Sequence, residues 1–244
     1  MPTSEIIEML NLREINTYYG KSHVLFDVAL HVGQGEIIAL LGRNGVGKTT
    51  TLRTIMGLTP PVSGSIRYKG MEMAGKKTHQ IALAGIGFVP DERWIFPNLT
   101  LHQNLVMGIK PGQYGKEVPK GWTIDRCYEY FPILKERQDS KGGHLSGGEM
   151  QMLAIARTLM GNPDLILVDE PTEGLAPLIV EVVGRVIREI NSSGTTILLV
   201  EQKLPFVMGL AQRIYIISKG IIQWEGTPQI LKESGEIRKK YLEV

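Results

Sequence analysis

The chain has 244 residues, 43% of them apolar, which suits one large α/β domain or a domain with an insert and is enough for a substantial core. Its formal net charge of only +2 argues against a nucleic-acid partner, which usually requires a strongly basic surface. The single cysteine, Cys127, excludes an internal disulfide and fits a reducing compartment, and no apolar run approaches the roughly 18 residues of a membrane span.

The N-terminal part of the chain is predicted to form two strands. Residues Met1 to Leu12 carry acidic side chains and lack a long apolar core, so we expect no signal peptide and a protein that is soluble by itself. The first strand runs from Leu10 to Tyr19, and strict apolar alternation over 24–32 predicts a half-buried second strand. Tyr19 precedes a glycine, and its ring is placed either to stack on a nucleotide base or to pack on neighbouring side chains.

A glycine-rich loop follows the apolar run 36–41, which predicts a buried strand. The loop is Gly42-Arg43-Asn44-Gly45-Val46-Gly47-Lys48-Thr49, and it fits the phosphate-binding pattern G-x-x-x-x-G-K-T. A predicted helix from Lys48 to a capping glycine at Gly57 completes the strand–loop–helix context that the pattern requires. Backbone N–H groups at the positive end of the helix dipole favour a polyphosphate, with Lys48 on its β- and γ-phosphates and the Thr49 hydroxyl on Mg²⁺. The alternative is a glycine-rich turn that matches by chance.

The middle of the chain is predicted to alternate short elements with loops. A strand over 63–70, a helix from Ala74 to Leu83 and a short strand from Ile86 to Val89 come first. A loop from Asp91 to Leu99 contains four bulky residues, Trp94-Ile95-Phe96-Pro97. A capping box at Thr100 and Gln103 begins the next helix, an exposed loop is predicted over 110–121, and a further helix over 123–131 ends at Pro132.

A second glycine-rich sequence is Leu145-Ser146-Gly147-Gly148-Glu149-Met150-Gln151, ahead of a helix predicted from Glu149 to Met160. Ser146 suits the N-cap of that helix, and Glu149 completes a capping box. These residues could simply cap a helix. However, two glycines at a helix start leave bare N–H groups, which make a second anion-binding site. Two anion sites in one chain suggest a site shared between copies.

Two carboxylates, Asp169 and Glu170, end the apolar run that begins at Leu165. A strand this apolar is buried on both faces, as in parallel sheets, and ligands bind beyond the carboxyl ends of such strands. Asp169 is a candidate Mg²⁺ ligand, and Glu170 is a candidate base for an attacking water. The alternative is a solvated acidic pair at a strand end.

The C-terminal third is predicted to begin with a helix from Pro177 to about Ile190. A buried strand over 195–200 follows, and it ends at Glu201 and Gln202. A short helix over 203–211, a hairpin around Lys219 and Gly220, and two short helices complete the chain.

Together these residues resemble the ATP-binding subunits of ABC transporters over nearly the whole chain. Leu145 to Gln151 is similar to the family's LSGGQ signature, and the order and spacing of the phosphate loop, the signature and Leu165–Glu170 also agree. The resemblance implies an α/β P-loop NTPase fold of the ABC ATPase type over residues 1–244. We expect a mainly parallel core sheet, an antiparallel β subdomain and a helical subdomain inserted over about 91–161, with ATP and Mg²⁺ as cofactors.

The resemblance also implies roles for individual residues. Asp169 closes Walker B, Glu170 is the catalytic glutamate, and Gly174 to Pro177 lie at the D-loop. The expected ATP-binding residues are Tyr19, which stacks on adenine, together with Gly42, Arg43, Asn44, Gly45, Val46, Gly47, Lys48, Thr49 and Thr50. Two subunits of this family meet head to tail, so the signature of one covers the γ-phosphate that the other holds. The expected signature contacts are Ser146, Gly147, Gly148 and Glu149.

Three positions depart from the general family pattern. Asp91 stands where many members have glutamine, and it can approach Mg²⁺ or water only as a negative group. Gln202 stands where many have a switch histidine; it can still donate a hydrogen bond to a γ-phosphate but cannot titrate near neutral pH. Ala176 stands where aspartate is common. We therefore expect Thr49, Asp169 and Asp91 as the metal residues, and Glu170, Lys48 and Gln202 as the catalytic residues.

These departures resemble one branch of the family, as do the sequences over 96–100, 170–177 and 199–202. It is the second ATP-binding subunit of branched-chain amino-acid importers and of their urea and short-chain amide relatives. The branch implies transmembrane permeases, a second ATP-binding subunit (a copy or a paralogue) and, indirectly, an extracytoplasmic solute-binding protein. It also implies a peripheral position on the cytoplasmic face of the inner membrane.

Two other classes within the family, and one local alternative, remain open. A non-transport ABC ATPase of the translation type usually carries two cassettes, and a DNA-maintenance head is split by a coiled coil, for which there is no heptad run here. An exporter subunit fits the branch-like sequences less well. Trp94 to Pro97 are expected to flank a groove for a permease helix, unless Trp94 and Phe96 pack under their own loop.

Overall fold

The computed structural model describes residues 7–113 and 121–242, so most of the loop predicted over 110–121 lies outside the described residues. The strands are β1 (Glu8–Tyr19), β2 (Ser22–Gly33), β3 (Ile37–Leu41), β4 (Ser63–Tyr68), β5 (Met71–Glu72), β6 (Ile86–Val89), β7 (Leu165–Asp169), β8 (Thr196–Glu201), β9 (Arg213–Ser218) and β10 (Ile221–Gly226). The helices are α1 (Lys48–Ile55), α2 (Thr78–Ala84), α3 (Leu101–Val106), α4 (Ile124–Tyr130), α5 (Pro132–Glu136), α6 (Gly147–Leu159), α7 (Pro177–Ser192), α8 (Leu204–Met208), α9 (Pro228–Glu233) and α10 (Gly235–Tyr241).

The strands form two sheets. The smaller sheet is antiparallel, with the order β2-β1-β4-β5, and its two long strands pair Leu10 with Val32 and Leu12 with Leu30. The larger sheet has the order β10-β9-β3-β8-β7-β6, and every pair in it is parallel except β9 with β10. The predicted combination of a mainly parallel core sheet and an antiparallel sheet is therefore confirmed.

The larger sheet separates two hydrophobic cores. All residues of β3, β7 and β8 are buried, as their continuous apolar sequences predict for central parallel strands. Alternate side chains of β3 enter opposite cores. Ile38 and Leu40 pack with the antiparallel sheet and α1, whereas Ile37, Ala39 and Leu41 pack with residues of α3 to α7.

Helices α3 to α6 lie between β6 and β7 along the chain, where the helical insert is expected. Leu101, Leu105 and Leu153 are fully buried in the core that these helices share with the large sheet. The assignment of 91–161 as a separate subdomain stays a prediction. Within the described residues, no helix is both long and apolar enough to cross a bilayer.

Several helix boundaries differ from the predicted ones for local reasons. The helix predicted from Ala74 begins only at Thr78, because Gly75 turns the chain with φ 77°. Pro132 ends α4 as predicted but also begins α5, where its missing N–H costs no hydrogen bond. The helix predicted from Glu149 begins two residues earlier, at Gly147.

Candidate functional site

The carboxyl ends of the parallel strands bring the predicted site residues to one edge of the large sheet. The glycine loop follows β3, Glu170 follows β7, Gln202 follows β8 and Asp91 follows β6. Between them lies a cleft of about 270 Å³. Its lining comprises Val24, Asn44, Gly45, Gly47, Lys48, Thr49, Thr50, Asp91, Glu170 and Glu173.

The glycine loop is shaped by close contacts with two neighbouring strands. Gly47 caps α1 with φ 110°, and a Cβ there would lie 2.7 Å from Leu25 Cδ2 on β2. A Cβ on Gly42 would lie 2.5 Å from the carbonyl oxygen of Ile217 on β9. A larger residue at either position would push the loop away from the sheet. The start of α1 therefore faces the cleft with its N–H groups available to an anion.

Lys48, Glu170 and Gln202 form one connected group. Lys48 Nζ lies 3.0 Å from Glu170 Oε1, and the two side chains are only 3% and 9% exposed. Nζ also donates a hydrogen bond of 2.8 Å to the carbonyl of Arg43. Gln202 Nε2 donates to Glu170 Oε2 at 2.5 Å. Side chains from two separate elements thus converge on the two oxygens of the Glu170 carboxylate. Glu170 has φ 40°, an uncommon backbone conformation that is typical of functional positions.

Asp169 and Thr49 form the second polar group of the cleft. Thr49 Oγ1 donates to Asp169 Oδ1 at 3.1 Å. The other oxygen, Oδ2, is buried and has no hydrogen-bond partner in the described part of the chain. Burial raises the pKa of Asp169 to about 7, although the bond from Thr49 opposes the shift.

This donor set fits Mg²⁺. A carboxylate oxygen without a partner and an adjacent hydroxyl are hard oxygen ligands, and Mg²⁺ in such sites takes one or two carboxylates together with substrate phosphates. Asp91 lines the same cleft. Among residues 7–113 and 121–242, no three His, Cys, Asp or Glu side chains make a complete metal site, so phosphates would have to supply the remaining ligands.

Neutralising Asp169 is expected to stabilise the fold while removing its function. Burial raises the folded-state pKa from 3.8 to about 7, so the carboxyl's contribution to stability is complete below about pH 3.8 and is lost as the pH rises through 7. Asp169→Asn keeps an acceptor for Thr49 without the charge. Near pH 8 we expect its free energy of unfolding to exceed the parent's by on the order of 1–3 kcal/mol, with little gain near pH 4.

Denaturant unfolding without Mg²⁺ or nucleotide, at both pH values, would measure this difference. The matched control is Asp139→Asn, which neutralises an exposed carboxylate and should give no gain that grows with pH. Mg²⁺-dependent ATP turnover of the Asp169 variant should fall. An equal gain in stability at both pH values would contradict the burial argument.

The signature residues start α6 with the predicted capping box. Ser146 Oγ accepts from the Glu149 backbone N–H at 3.3 Å, and Glu149 Oε2 accepts from the Ser146 N–H at 2.7 Å. The backbone N–H groups of Gly147 and Gly148 have no hydrogen-bond partner among the described residues. A Cβ on Gly148 would lie 2.9 Å from Ile179 Cγ2, so this glycine is also required for packing against α7.

Burial acts to raise the pKa of Glu149, but the hydrogen bonds from Ser146 and the charge of Arg137 outweigh it and lower the pKa. Glu149 therefore carries its charge at the N-terminal end of α6, which favours the helix. None of residues 146–149 lines the cleft that contains Lys48. The two predicted anion sites are thus separate places on the described chain.

Tyr19 lies at the end of β1 and is 45% exposed. Its hydroxyl accepts a hydrogen bond of 3.4 Å from Thr59, and close to half of the residue's surface is open to solvent. The adjacent Tyr18 instead stacks on His23, with ring centroids 4.1 Å apart. Base stacking by Tyr19 stays a prediction, and the exposed ring supports it.

Glu201 is a residue whose role the sequence analysis missed. It is buried, and its Oε1 accepts from the Thr172 hydroxyl at 2.6 Å, while its Oε2 accepts from the Gln202 N–H at 2.9 Å. It therefore ties the segment after β7 to the segment after β8 and holds Glu170 and Gln202 in place. The sequence feature that could have identified Glu201 is a carboxylate at the end of a continuous apolar strand.

A glycine loop between a buried parallel strand and a helix, with Lys48 paired to Glu170 and Thr49 bonded to Asp169, defines a P-loop NTPase. The comparisons with known proteins identify the family. The family model described as ABC transporter matches residues 25–173. The chain is 41% identical over 234 residues to the high-affinity branched-chain amino acid transport ATP-binding protein BraG of Pseudomonas aeruginosa, covering 96% of this chain and 99% of BraG.

It is 33% identical over 235 residues to the lipopolysaccharide export system ATP-binding protein LptB of Escherichia coli, covering 96% of both chains. Its fold matches the crystal structure of a nucleotide-free ATP-binding cassette from an ABC transporter, with a TM-score of 0.82 and 26% identity over 97% of this chain and 98% of that one. The chain therefore belongs to the ABC transporter family, as an ATP-binding subunit and an ATPase. The predicted family, fold and enzyme class are confirmed.

Proposed function

We propose that this chain hydrolyses ATP as one half of a head-to-tail pair of ATPase subunits that powers the import of branched-chain amino acids. The observation that carries the proposal is the convergence of Lys48 and Gln202 on Glu170, beside Thr49 and Asp169. This arrangement contains a phosphate-binding cation, a base for water and an oxygen pair for a metal. The 41% identity to BraG over 96% of the chain supports the solute class.

The reaction is ATP + H₂O → ADP + phosphate. A triphosphate in the cleft carries more negative charge than one carboxylate. We therefore expect Lys48 to break its ion pair with Glu170 and to bind the phosphates instead. Glu170, still held by Gln202, then accepts a proton from water as the water oxygen bonds to the γ-phosphorus and the bond to the bridging oxygen breaks. Mg²⁺, held by Thr49 and Asp169 with Asp91 near it, would neutralise charge on the phosphates.

A second subunit would complete the site. Gly147 and Gly148 present N–H groups without partners in the described chain, yet they lie outside the cleft of Lys48. Such groups suit the γ-phosphate held by a facing subunit, with Ser146 and Glu149 fixing the helix start. Exposed Tyr19 would stack on the adenine. The facing subunit is a second copy or a paralogue, since the head-to-tail geometry suits both.

The loop after β6 is the proposed contact with a permease, through which the chain would sit on the cytoplasmic face of the inner membrane. Trp94 and Phe96 are 46% and 44% exposed. The Trp94 ring meets Phe88 edge-on at 6.0 Å, and Arg157 lies over the Phe96 ring, so both residues are partly covered and partly exposed. Two partly exposed aromatic residues on one loop suit a helix laid against them. The solute-binding protein would act indirectly, through the permease.

Trp94→Ala is expected to weaken coupling to the permease while sparing the fold. Because Trp94 is 46% exposed and its ring meets the Phe88 ring only edge-on, its loss removes little core packing. Solute-stimulated ATP turnover of the assembled transporter should fall about 10-fold or more, as for an aromatic anchor at an interface, with a melting temperature close to the parent's. Leu83→Ala, at another exposed apolar position outside the loop, is the matched control. An unfolded Trp94 variant would favour packing under the loop instead.

The function as a whole is tested in proteoliposomes that contain the chain, its second ATPase subunit, its permeases and its solute-binding protein. Leucine is expected to stimulate ATP turnover and to accumulate in the vesicles. Stimulation by urea or acetamide but not by leucine would move the chain to the alternative importers. Absence of any permease in the purified assembly would support a non-transport ATPase. Outward movement of a lipid substrate would support an export role. This outcome is tested because the chain is 33% identical to LptB, a subunit of an export system.

A further inference from the structure

The loop after β6 holds two consecutive residues in an unusual backbone conformation. Arg93 has φ 63° and Trp94 has φ 44°, a region in which residues with side chains are uncommon. Strained positions of this kind persist only when surrounding contacts hold them, and they cluster at functional places. The N–H groups of Arg93 and Trp94 bond to carbonyls within the loop, and their own carbonyls bond to one residue of α6. Arg157 Nη1 donates to the Trp94 carbonyl at 2.8 Å, and Nη2 donates to the Arg93 carbonyl at 3.0 Å.

This backbone conformation aims the Arg93 side chain at two other elements. Arg93 Nε donates to Gln151 Oε1 at 2.9 Å, and Gln151, on the first half of α6, is only 1% exposed. Arg93 Nη2 donates to the Glu173 carbonyl at 3.1 Å. Glu173 in turn follows Glu170, and its N–H donates to the Glu170 carbonyl at 3.1 Å. One guanidinium therefore joins the helix that begins at the signature to the turn that begins at the catalytic glutamate.

An arginine is needed at this position because both hydrogen bonds are donated by one rigid, planar guanidinium group. Guanidinium presents its donors in a fixed fork, whereas lysine carries a single charge on a flexible stem and cannot make both bonds in this geometry. Arg93 itself does not line the cleft that contains Lys48 and Thr49. Its contacts with Gln151 and Glu173 are thus contacts between parts of the protein, outside the proposed contacts with nucleotide.

We infer that Arg93 is a positioning residue: it sets the start of α6, with the backbone N–H groups of Gly147 and Gly148, at a fixed place relative to the Glu170 turn. In a head-to-tail pair, a subunit's own nucleotide is sensed at Glu170 while its α6 seals the partner's nucleotide. Arg93 would couple these two events by fixing the distance between the Glu170 turn and the start of α6. The consequence for the pairing of subunits rests on the proposed function. The geometry of the Arg93 contacts does not depend on it.

The test compares Arg93→Lys with Arg188→Lys, each introduced into a Glu170→Gln background. Arg188 is an exposed arginine of α7 with one 3.4 Å contact, to the Gly209 carbonyl, so it receives the same chemical change without the bridge. ATP-dependent dimerisation, followed by light scattering, should weaken about 10- to 100-fold for Arg93→Lys, the effect of losing a hydrogen bond from a charged group. The Kd for Mg·ATP in the dilute monomer should stay within about twofold, because P-loop residues line the cleft and Arg93 does not.

A second readout needs no dimer. Hydrogen exchange of the Glu149 and Met150 amides, which donate to the Ser146 hydroxyl and the Ser146 carbonyl, should speed up about 10-fold or more in the isolated chain for Arg93→Lys and stay unchanged for Arg188→Lys. If Arg93→Lys fails to fold, Gln151→Ala removes the same bond from the other side without changing the strained loop, and it should give the same two results. Unchanged exchange and unchanged dimerisation in these variants would overturn the inference. Failure of the Glu170→Gln parent to dimerise with ATP would instead count against the proposed function, and exchange would still decide the role of Arg93.

Discussion

Replacing Glu170 with glutamine is expected to lower ATP turnover by about 10²- to 10⁴-fold, the usual contribution of a positioned general base. The variant keeps the shape of the side chain and an oxygen for Gln202 or Lys48, but it cannot take a proton from water. Turnover should be measured as phosphate release at saturating Mg·ATP in the assembled complex. Binding is expected to survive, so ATP-bound dimers should accumulate.

The same substitution should show how much the ion pair between Lys48 and Glu170 contributes to stability. Lys48 Nζ and Glu170 Oε1 lie 3.0 Å apart, and the two side chains are only 3% and 9% exposed. Without the carboxylate, Lys48 loses its buried counter-charge, so the melting temperature without ATP should fall. Added Mg·ATP should restore it, because phosphates replace the missing charge and ligand binding stabilises the folded state. Glu181→Gln, an exposed carboxylate on α7, is the control and should behave like the parent. Hydrolysis by Glu170→Gln at the parental rate would mean that another residue is the base.

Lys48→Ala is expected to be the other severe substitution. It removes a positive charge that is held in place by the Arg43 carbonyl, 2.8 Å from Nζ. Because the Lys48 side chain is only 3% exposed, we expect no cation from the solvent to take its place. Turnover should fall by about 10²- to 10³-fold or more, the range for losing one preorganised charge-stabilising contact, and the Kd for ATP should rise. Phosphate release and binding of a fluorescent ATP analogue measure the two effects separately.

The matched control for Lys48→Ala is Lys69→Ala. Lys69 also pairs with a carboxylate, Asp164, at 2.6 Å, but both side chains are largely exposed and lie away from the cleft. Its loss should cost little stability and no turnover, as for most surface ion pairs. Full turnover by Lys48→Ala would remove the glycine loop as the working phosphate site and would undo the proposed mechanism.

Short-range patterns in the sequence were sufficient for most of the elements. The strand, glycine loop and helix around Lys48 follow from an apolar run, close-spaced glycines and an uninterrupted helical stretch, all within a few residues of one another. The capping boxes at Thr100 and Ser146 were also predictable, because both partners of each hydrogen bond lie three residues apart. The helix that begins at Pro132 was harder to predict, since a proline can end one helix and begin another.

Local pattern by itself therefore identified Lys48, Asp169 and Glu170 as candidates, and the resemblance of the motifs to ABC transporter ATP-binding subunits implied the family and the fold class. Only the tertiary structure decided how these residues meet. The ion pair of Lys48 with Glu170, the hydrogen bond from Thr49 to Asp169 and the bridge made by Arg93 join segments that are distant along the chain. Hydrogen bonds and charges act over a few ångströms, so such contacts exist only after β3, β6, β7 and β8 have brought their carboxyl ends to one edge.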